Sequence, residues 1–122
     1  MTIVMISGSR SVTELPSSAV NSLNKIMELG FDIVVGDCSG IDTLVQKYLQ
    51  SQHYQNVTVY HINNKPRNNV GFKTIKIQGR SYSAKDIAMA EIADYGLAIW
   101  NNKSKGTKAN IDRIKRTKVI TV

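Results

Sequence analysis

An α/β fold built on a mostly parallel sheet is what three features of this sequence predict together. β-Branched apolar runs of strand length alternate with stretches of helical periodicity from one end of the chain to the other. The bends after three of those runs are polar and carry glycine, the composition of loops at the carboxyl ends of parallel strands. The length, 122 residues, suits one ordinary domain that buries roughly two-thirds of its unfolded surface around a hydrophobic core.

Thr2–Ile6, rich in β-branched residues, predicts the first strand, with Ser7-Gly8-Ser9-Arg10-Ser11 as a polar turn behind it. From Ser17 to Leu29, the residues Val20, Leu23, Ile26, Met27 and Leu29 recur near one face of a helix. Pro16 suits its first turn, where no amide donor is needed, and Gly30 its left-handed end. Residues 32–35 form the second strand. A second helix runs from Gly40 to Gln50 on the stripe Ile41, Leu44, Val45, Tyr48 and Leu49, and Val57–Tyr60 is the third strand. Periodicity then fails: residues 61–82 hold the second proline, two glycines and a cluster of cations, with Phe72, Ile75 and Ile77 as material for one short strand. Ser83–Ala93 returns to helix with Ile87, Met89, Ala90 and Ala93 inward. Gly96–Trp100 is a strand, Gly106 or Thr107 to Lys115 a helix, and Lys118–Val122 a closing strand. The alternation predicts a single Rossmann-like three-layer sandwich over residues 1–122, helices covering both faces of the sheet.

Composition narrows the function classes. Sixteen lysines and arginines stand against nine acids, a net charge of +7. That surplus attracts polyanions, nucleic acid included, suits a small phosphorylated ligand, and also serves plain solubility. The cations gather at Lys65, Arg67, Lys73, Lys76, Arg80 and Lys85, and again from Lys103 to Lys118. Cys38 is the only cysteine, so no intrachain disulfide forms, and a lone thiol fits a reducing compartment. No apolar run approaches the roughly 18 residues of a membrane span, and the first residues lack a signal peptide's basic start and length. The expectation is a cytoplasmic chain with no membrane partner. His53 and His61 have no cysteine or HExxH spacing, so no metal site is expected and no cofactor; both histidines are read as surface or strand-edge residues.

In the predicted sheet three loops arrive at the strands' carboxyl ends, where the ligand crevice of such folds lies. In "ISGSRS", Gly8 lets backbone amides approach an anion, Ser9 adds a hydroxyl and Arg10 can fork onto a phosphate or carboxylate; the competing reading is a tight turn with a surface arginine. In "GDCSGID", Gly36 and Gly40 let backbone pass close to a ligand, with Gly40 near a helix start. An acid beside an anion repels it, so Asp37 is read either as acceptor for a sugar hydroxyl or base amine or as a holder of the loop, and Asp42 as a helix-start acid. In "WNNKSKGTKANI", Ser104, Gly106 and Thr107 converge on a phosphate at a helix terminus, while Trp100 stacks on a base or caps the sheet edge. Arg80 and Lys85, at a loop-to-helix junction, can both reach the crevice, with Tyr82 beside them. Neither a GxGxxG dinucleotide fingerprint nor a Walker A loop is present.

Taken together, "GSRS", "VVGDCSGIDTLV" and "KDIAMAEIADYGLAIWNNKSKGTKANI" resemble the SLOG superfamily of Rossmann-like nucleotide-ligand proteins, within it the YspA/YpsA-related group, over roughly residues 3 to 114. That superfamily includes the LOG phosphoribohydrolases and DNA-processing protein A. The resemblance implies a phosphate site at Gly106 and Thr107, a nucleotide lying toward Gly8, Ser9, Arg10, Gly36 and Asp37, and pairing into homodimers. The hydrolases carry a PGGxGTxxE stretch whose glutamate works on the ribose; here "GTKAN" puts Asn110 in its place, and a neutral amide cannot do that acid's work. The first expectation is therefore binding of a phosphorylated nucleoside or nucleotide-derived molecule. The alternatives are N-glycosidic hydrolysis of a nucleoside monophosphate with Asp37 as the catalytic acid, and single-stranded nucleic-acid binding, which is not favoured.

Overall fold

Alternating apolar side chains, buried on both faces, are what a parallel sheet requires, and the chain supplies them. The computed structural model describes residues 1–122. Strands β1 (Ile3–Gly8), β2 (Asp32–Val35), β3 (Val57–His61), β4 (Lys73–Lys76), β5 (Tyr95–Trp100) and β6 (Thr117–Thr121) form one sheet in the order β4-β3-β2-β1-β5-β6. The expectation of a mostly parallel sheet is exceeded, because every pairing is parallel.

The helices are α1 (Ser17–Glu28), α2 (Ile41–Ser51), α3 (Ser83–Ile92) and α4 (Lys105–Arg113). Val4, Ile6, Ile33, Val35, Val57 and Val59 point to one face and pack with Ala19 and Leu23 of α1 and Ile41, Val45 and Leu49 of α2. Their alternates Met5, Val34 and Tyr60 point to the other face and meet Met89 of α3, with Ile114 just beyond α4. Burying each such side chain contributes about 1.5–3 kcal/mol, so the two cores set the sheet's register. Two expectations need correction. Ile87 and Leu29 are exposed, because their helices need only narrow stripes against the sheet, and His61 is buried at the end of β3, its Nδ1 2.6 Å from the Asn63 carbonyl.

The unreadable stretch, residues 61–82, contains β4, an edge strand exposed along its length and guarded by Lys73 and Lys76 against pairing with other chains. No helix joins it to β3. Residues 62–72 form a strap whose backbone bonds to side chains of α2 instead: the Gln46 amide donates to the carbonyls of Gly36 and Asn68 at 3.1 and 3.2 Å and accepts from Val70 N–H at 3.2 Å. Gln50 donates to the Val70 carbonyl at 2.6 Å. The chain then crosses from the β4 edge back to β5, beside β1, so connections diverge from β1 and β5 and open a crevice at their carboxyl ends.

No helix is long and apolar enough to cross a membrane.

Candidate functional site

The divergence at β1 and β5 brings the three glycine-bearing loops together. They enclose a cavity of about 90 Å³, walled by Ser7 and Gly8 at the end of β1 and Arg10 just after it, by Gly36, Cys38 and Asp42 between β2 and the first turn of α2, by Lys85 and Asp86 of α3, and by Ser104, Gly106, Thr107 and Asn110 around α4. Met5, Ile6 and Met89 complete the lining. Of the residues expected at a ligand, Gly8, Arg10, Gly36, Lys85, Ser104, Gly106, Thr107 and Asn110 meet at this cavity.

The other expected residues lie outside its walls, for reasons the bonding makes plain. Ser9 is fully buried and holds β1 to β5: its hydroxyl accepts from Asn101 N–H at 3.1 Å and its own N–H donates to the Ile99 carbonyl at 3.1 Å. Gly40 has φ +76°, and an added Cβ would strike the backbone of Arg10, so this glycine permits two loops to cross. Trp100 donates its indole N–H to the Ser104 carbonyl at 2.9 Å and braces the loop before α4. Arg80 is exposed on the loop before α3.

Asp37 is the largest departure. Its carboxylate, 1% exposed, is taken by Arg67, whose Nη2 donates to Oδ1 at 2.8 Å and whose Nε and backbone N–H donate to Oδ2 at 3.2 and 2.7 Å. Burial pushes the Asp37 carboxyl up, but the Arg67 hydrogen bonds and charge outweigh it and hold the group below its ordinary value. Of the two roles open to Asp37, this geometry serves the second, anchoring the strap to the loop after β2. Arg67 was visible in the sequence only as one cation among several; nothing in its spacing announced a partner thirty residues back.

Asp42, read as a helix-start acid, lines the cavity instead. Its Oδ2 accepts from Cys38 N–H at 3.1 Å, while its other oxygen has no protein donor and keeps access to the cavity. Burial pushes its carboxyl up to about 7, against the opposing pull of Lys85 and of the Cys38 hydrogen bond. Lys85 is 2% exposed and donates to Asp86 at 3.0 Å. Burial alone would lower its pKa, but Asp86, Cys38 and Asp42 together raise it, so the ammonium stays charged. Gly36 is what admits this pair: a Cβ there would stand 2.7 Å from Asp42 Oδ2 and 3.1 Å from Lys85 Nζ. Burial, with Asp42, also pushes the Cys38 thiol up, so it is a poor nucleophile in this setting.

On the opposite wall Ser104 caps α4, its Oγ accepting from Thr107 N–H at 3.3 Å and lying 3.1 Å from Thr107 Oγ1. That pair of hydroxyls carries two hydrogens and its mutual bond uses one. The first-turn amides of Lys105 and Gly106 find no acceptor in the protein, as at most helix starts. Asn110 accepts from Arg113 at 2.6 Å through Oδ1, which leaves its NH₂ free, and the Ser7 hydroxyl has no protein partner.

A larger hollow of about 290 Å³ lies at the other end of the sheet among Val4, Ile26, Phe31, Tyr95 and Leu97. Ser22, Lys25, Arg116 and Lys118 also line it, Lys118 donating to Ser22 at 2.9 Å, but no helix N-terminus is among its walls. Comparison with family models, curated proteins and solved structures finds no match.

Proposed function

We propose that the protein binds a phosphorylated nucleoside or nucleotide-derived small molecule at the carboxyl edge of its sheet, the phosphoryl group entering the cavity between β1, α3 and α4. One observation carries this reading: polar groups with spare hydrogen-bonding capacity face a single accessible cavity, and donors dominate among them. The donors on the walls are the Lys85 ammonium, which also pairs with Asp86, the Asn110 NH₂, the Gly106 amide and the Ser7 hydroxyl, with the Arg10 guanidinium beside them; Asp42 and Asp86 are the acids. Every fully buried side-chain polar atom has a protein partner, so the spare donors are those the cavity keeps accessible, and an occupant rich in acceptors matches them. A helix N-terminus adds partial positive charge from the same side.

Size decides how much of the ligand is enclosed. The cavity, about 90 Å³, holds several waters' worth of volume at roughly 10–15 Å³ each, enough for a phosphoryl group. Whole-ligand pockets run to about 300–1,000 Å³, so a nucleoside lies across the mouth. The nucleoside part of the reading leans on the resemblance to the SLOG superfamily. Calorimetric titration with a panel of nucleoside monophosphates tests it: saturable heat at millimolar concentration or below is expected, and none across the panel contradicts it.

Hydrolysis of an N-glycosidic bond is a second reading, favoured by Asp42 rather than Asp37. A cavity-lining carboxyl held at about 7 exchanges protons near neutrality, as an acid–base group must. Incubation with adenosine, deoxyadenosine and cytidine monophosphates, followed by chromatography for free base, decides it. Release that disappears in Asp42→Asn supports the reading; unchanged nucleotides reject it for those substrates.

A further inference from the structure

If the cavity takes a phosphate, the rest of the ligand lies outside it, and a planar ledge stands beside the mouth. Arg67 reaches that place from the strap. Its guanidinium is pinned by Asp37 at 2.8 and 3.2 Å, and its Nη2 also lies 3.1 Å from Cys38 Sγ, on the cavity wall. The Tyr82 ring stacks on it, with the guanidinium carbon 3.9 Å from the ring centroid. Asn63 donates to the Tyr82 hydroxyl at 3.4 Å. Tyr82 nevertheless remains 47% exposed, and the Arg67 side chain keeps 26% of its surface open.

We propose that Arg67 and Tyr82 form a ring-stacking subsite for the planar base of the molecule whose phosphate occupies the cavity. The inference rests on the reading above and adds the residues that receive the ligand's aromatic heterocycle. Three points support it. Anchoring the strap needs only the Arg67–Asp37 pair, so a large, half-exposed aromatic ring is surplus to that task. The ledge is already ordered by an ion pair to a buried carboxylate, so a base that stacks there does not have to immobilise it. Stacked aromatic and guanidinium planes accept any base face, which predicts tolerance among bases and a preference for the larger purine rings.

The test compares adenosine monophosphate with ribose 5-phosphate, which lacks the ring, by calorimetry on the full chain. Wild-type protein is expected to bind the nucleotide roughly five- to 150-fold more tightly, the range for one base on one aromatic side chain. Tyr82→Ala should bring that ratio close to one and leave ribose 5-phosphate affinity unchanged, whereas Tyr82→Phe should keep the preference. Equal affinities in the wild type overturn the subsite while leaving the phosphate cavity standing. So does a Tyr82→Ala variant that weakens both compounds alike. Binding of neither compound overturns the phosphate reading and the subsite with it. The wild-type comparison needs no variant, so the inference stays exposed to refutation even if Tyr82→Ala folds poorly.

Discussion

Two groups of polar side chains crowd the same end of this sheet and are treated in opposite ways. On the strap side, bonding capacity is consumed within the protein: Asp37 is held by Arg67, and Gln46 uses both ends of its amide on backbone groups. On the cavity side, Ser7, Asn110 and Asp42 are almost as deeply buried yet keep atoms with no protein partner. One short stretch supplies both behaviours, since Asp37 lies in the loop after β2 and Asp42 in the first turn of α2 that follows it. The difference separates settings that residue type alone does not: the first acid is spent on fixing a loop, and the second bonds Cys38 N–H with one oxygen and keeps the other.

Breaking the strap side should produce the largest effect. Arg67→Ala leaves the Asp37 carboxylate buried without its partner and is expected to lower stability by about 3–5 kcal/mol in urea unfolding. Adding Asp37→Asn removes the stranded charge and should restore part of that loss; an equal loss in the double variant would show that the ion pair is not the source.

Gly36→Ala attacks the cavity side next. Its methyl group would displace the Asp42 carboxylate or the Lys85 ammonium, lowering stability by about 1–3 kcal/mol. Nucleotide affinity should fall by roughly tenfold or more as the wall moves. Calorimetry that finds normal affinity in a destabilised variant would detach these residues from the ligand.

The two acids should also pull stability in opposite directions with pH. Asp42 holds its proton to about 7 in the folded chain against an ordinary 3.8, so its contribution is full at low pH and is lost as pH rises from about 4 through 7. Asp37 lies below its ordinary value, so its contribution is present above about 4 and is lost as pH falls through the folded value. Unfolding measured from pH 5 to 8 should show a decline of about 2–3 kcal/mol that Asp42→Asn flattens. An identical decline in that variant assigns it to another group.

The smallest expected changes contrast two arginines. Arg10→Ala should weaken phosphate-bearing ligands by roughly tenfold through loss of a charged donor at the mouth, and Arg80→Ala should leave them unchanged. Equal effects in calorimetry would mean that net positive charge, not the cavity, attracts the ligand.

Much of this architecture was legible from local pattern. Strands of alternating apolar residues and the stripes of α1 and α2 announce themselves because a two-sided parallel sheet imposes them. The loops converge as read because topology, not side-chain detail, determines where carboxyl ends lie. What escaped depended on distant pairing. Arg67 finding Asp37, and Gln46 replacing a helix as partner to the strap, leave no periodic mark. Asp42 illustrates the same limit: an acid in a helix's first turn looks like a dipole-stabilising residue until the packing of Gly36 and Lys85 around it is seen.

The most direct measurement is a titration of ¹⁵N-labelled protein with adenosine monophosphate, followed by amide chemical shifts. Saturating shifts are predicted at Gly8, Arg10, Gly36, Gly106 and Thr107, together with the side-chain NH₂ of Asn110. Shifts confined to Phe31, Tyr95 and Leu97 at the opposite end of the sheet, or none at millimolar nucleotide, would contradict the claim that these free donors exist to hold a phosphate.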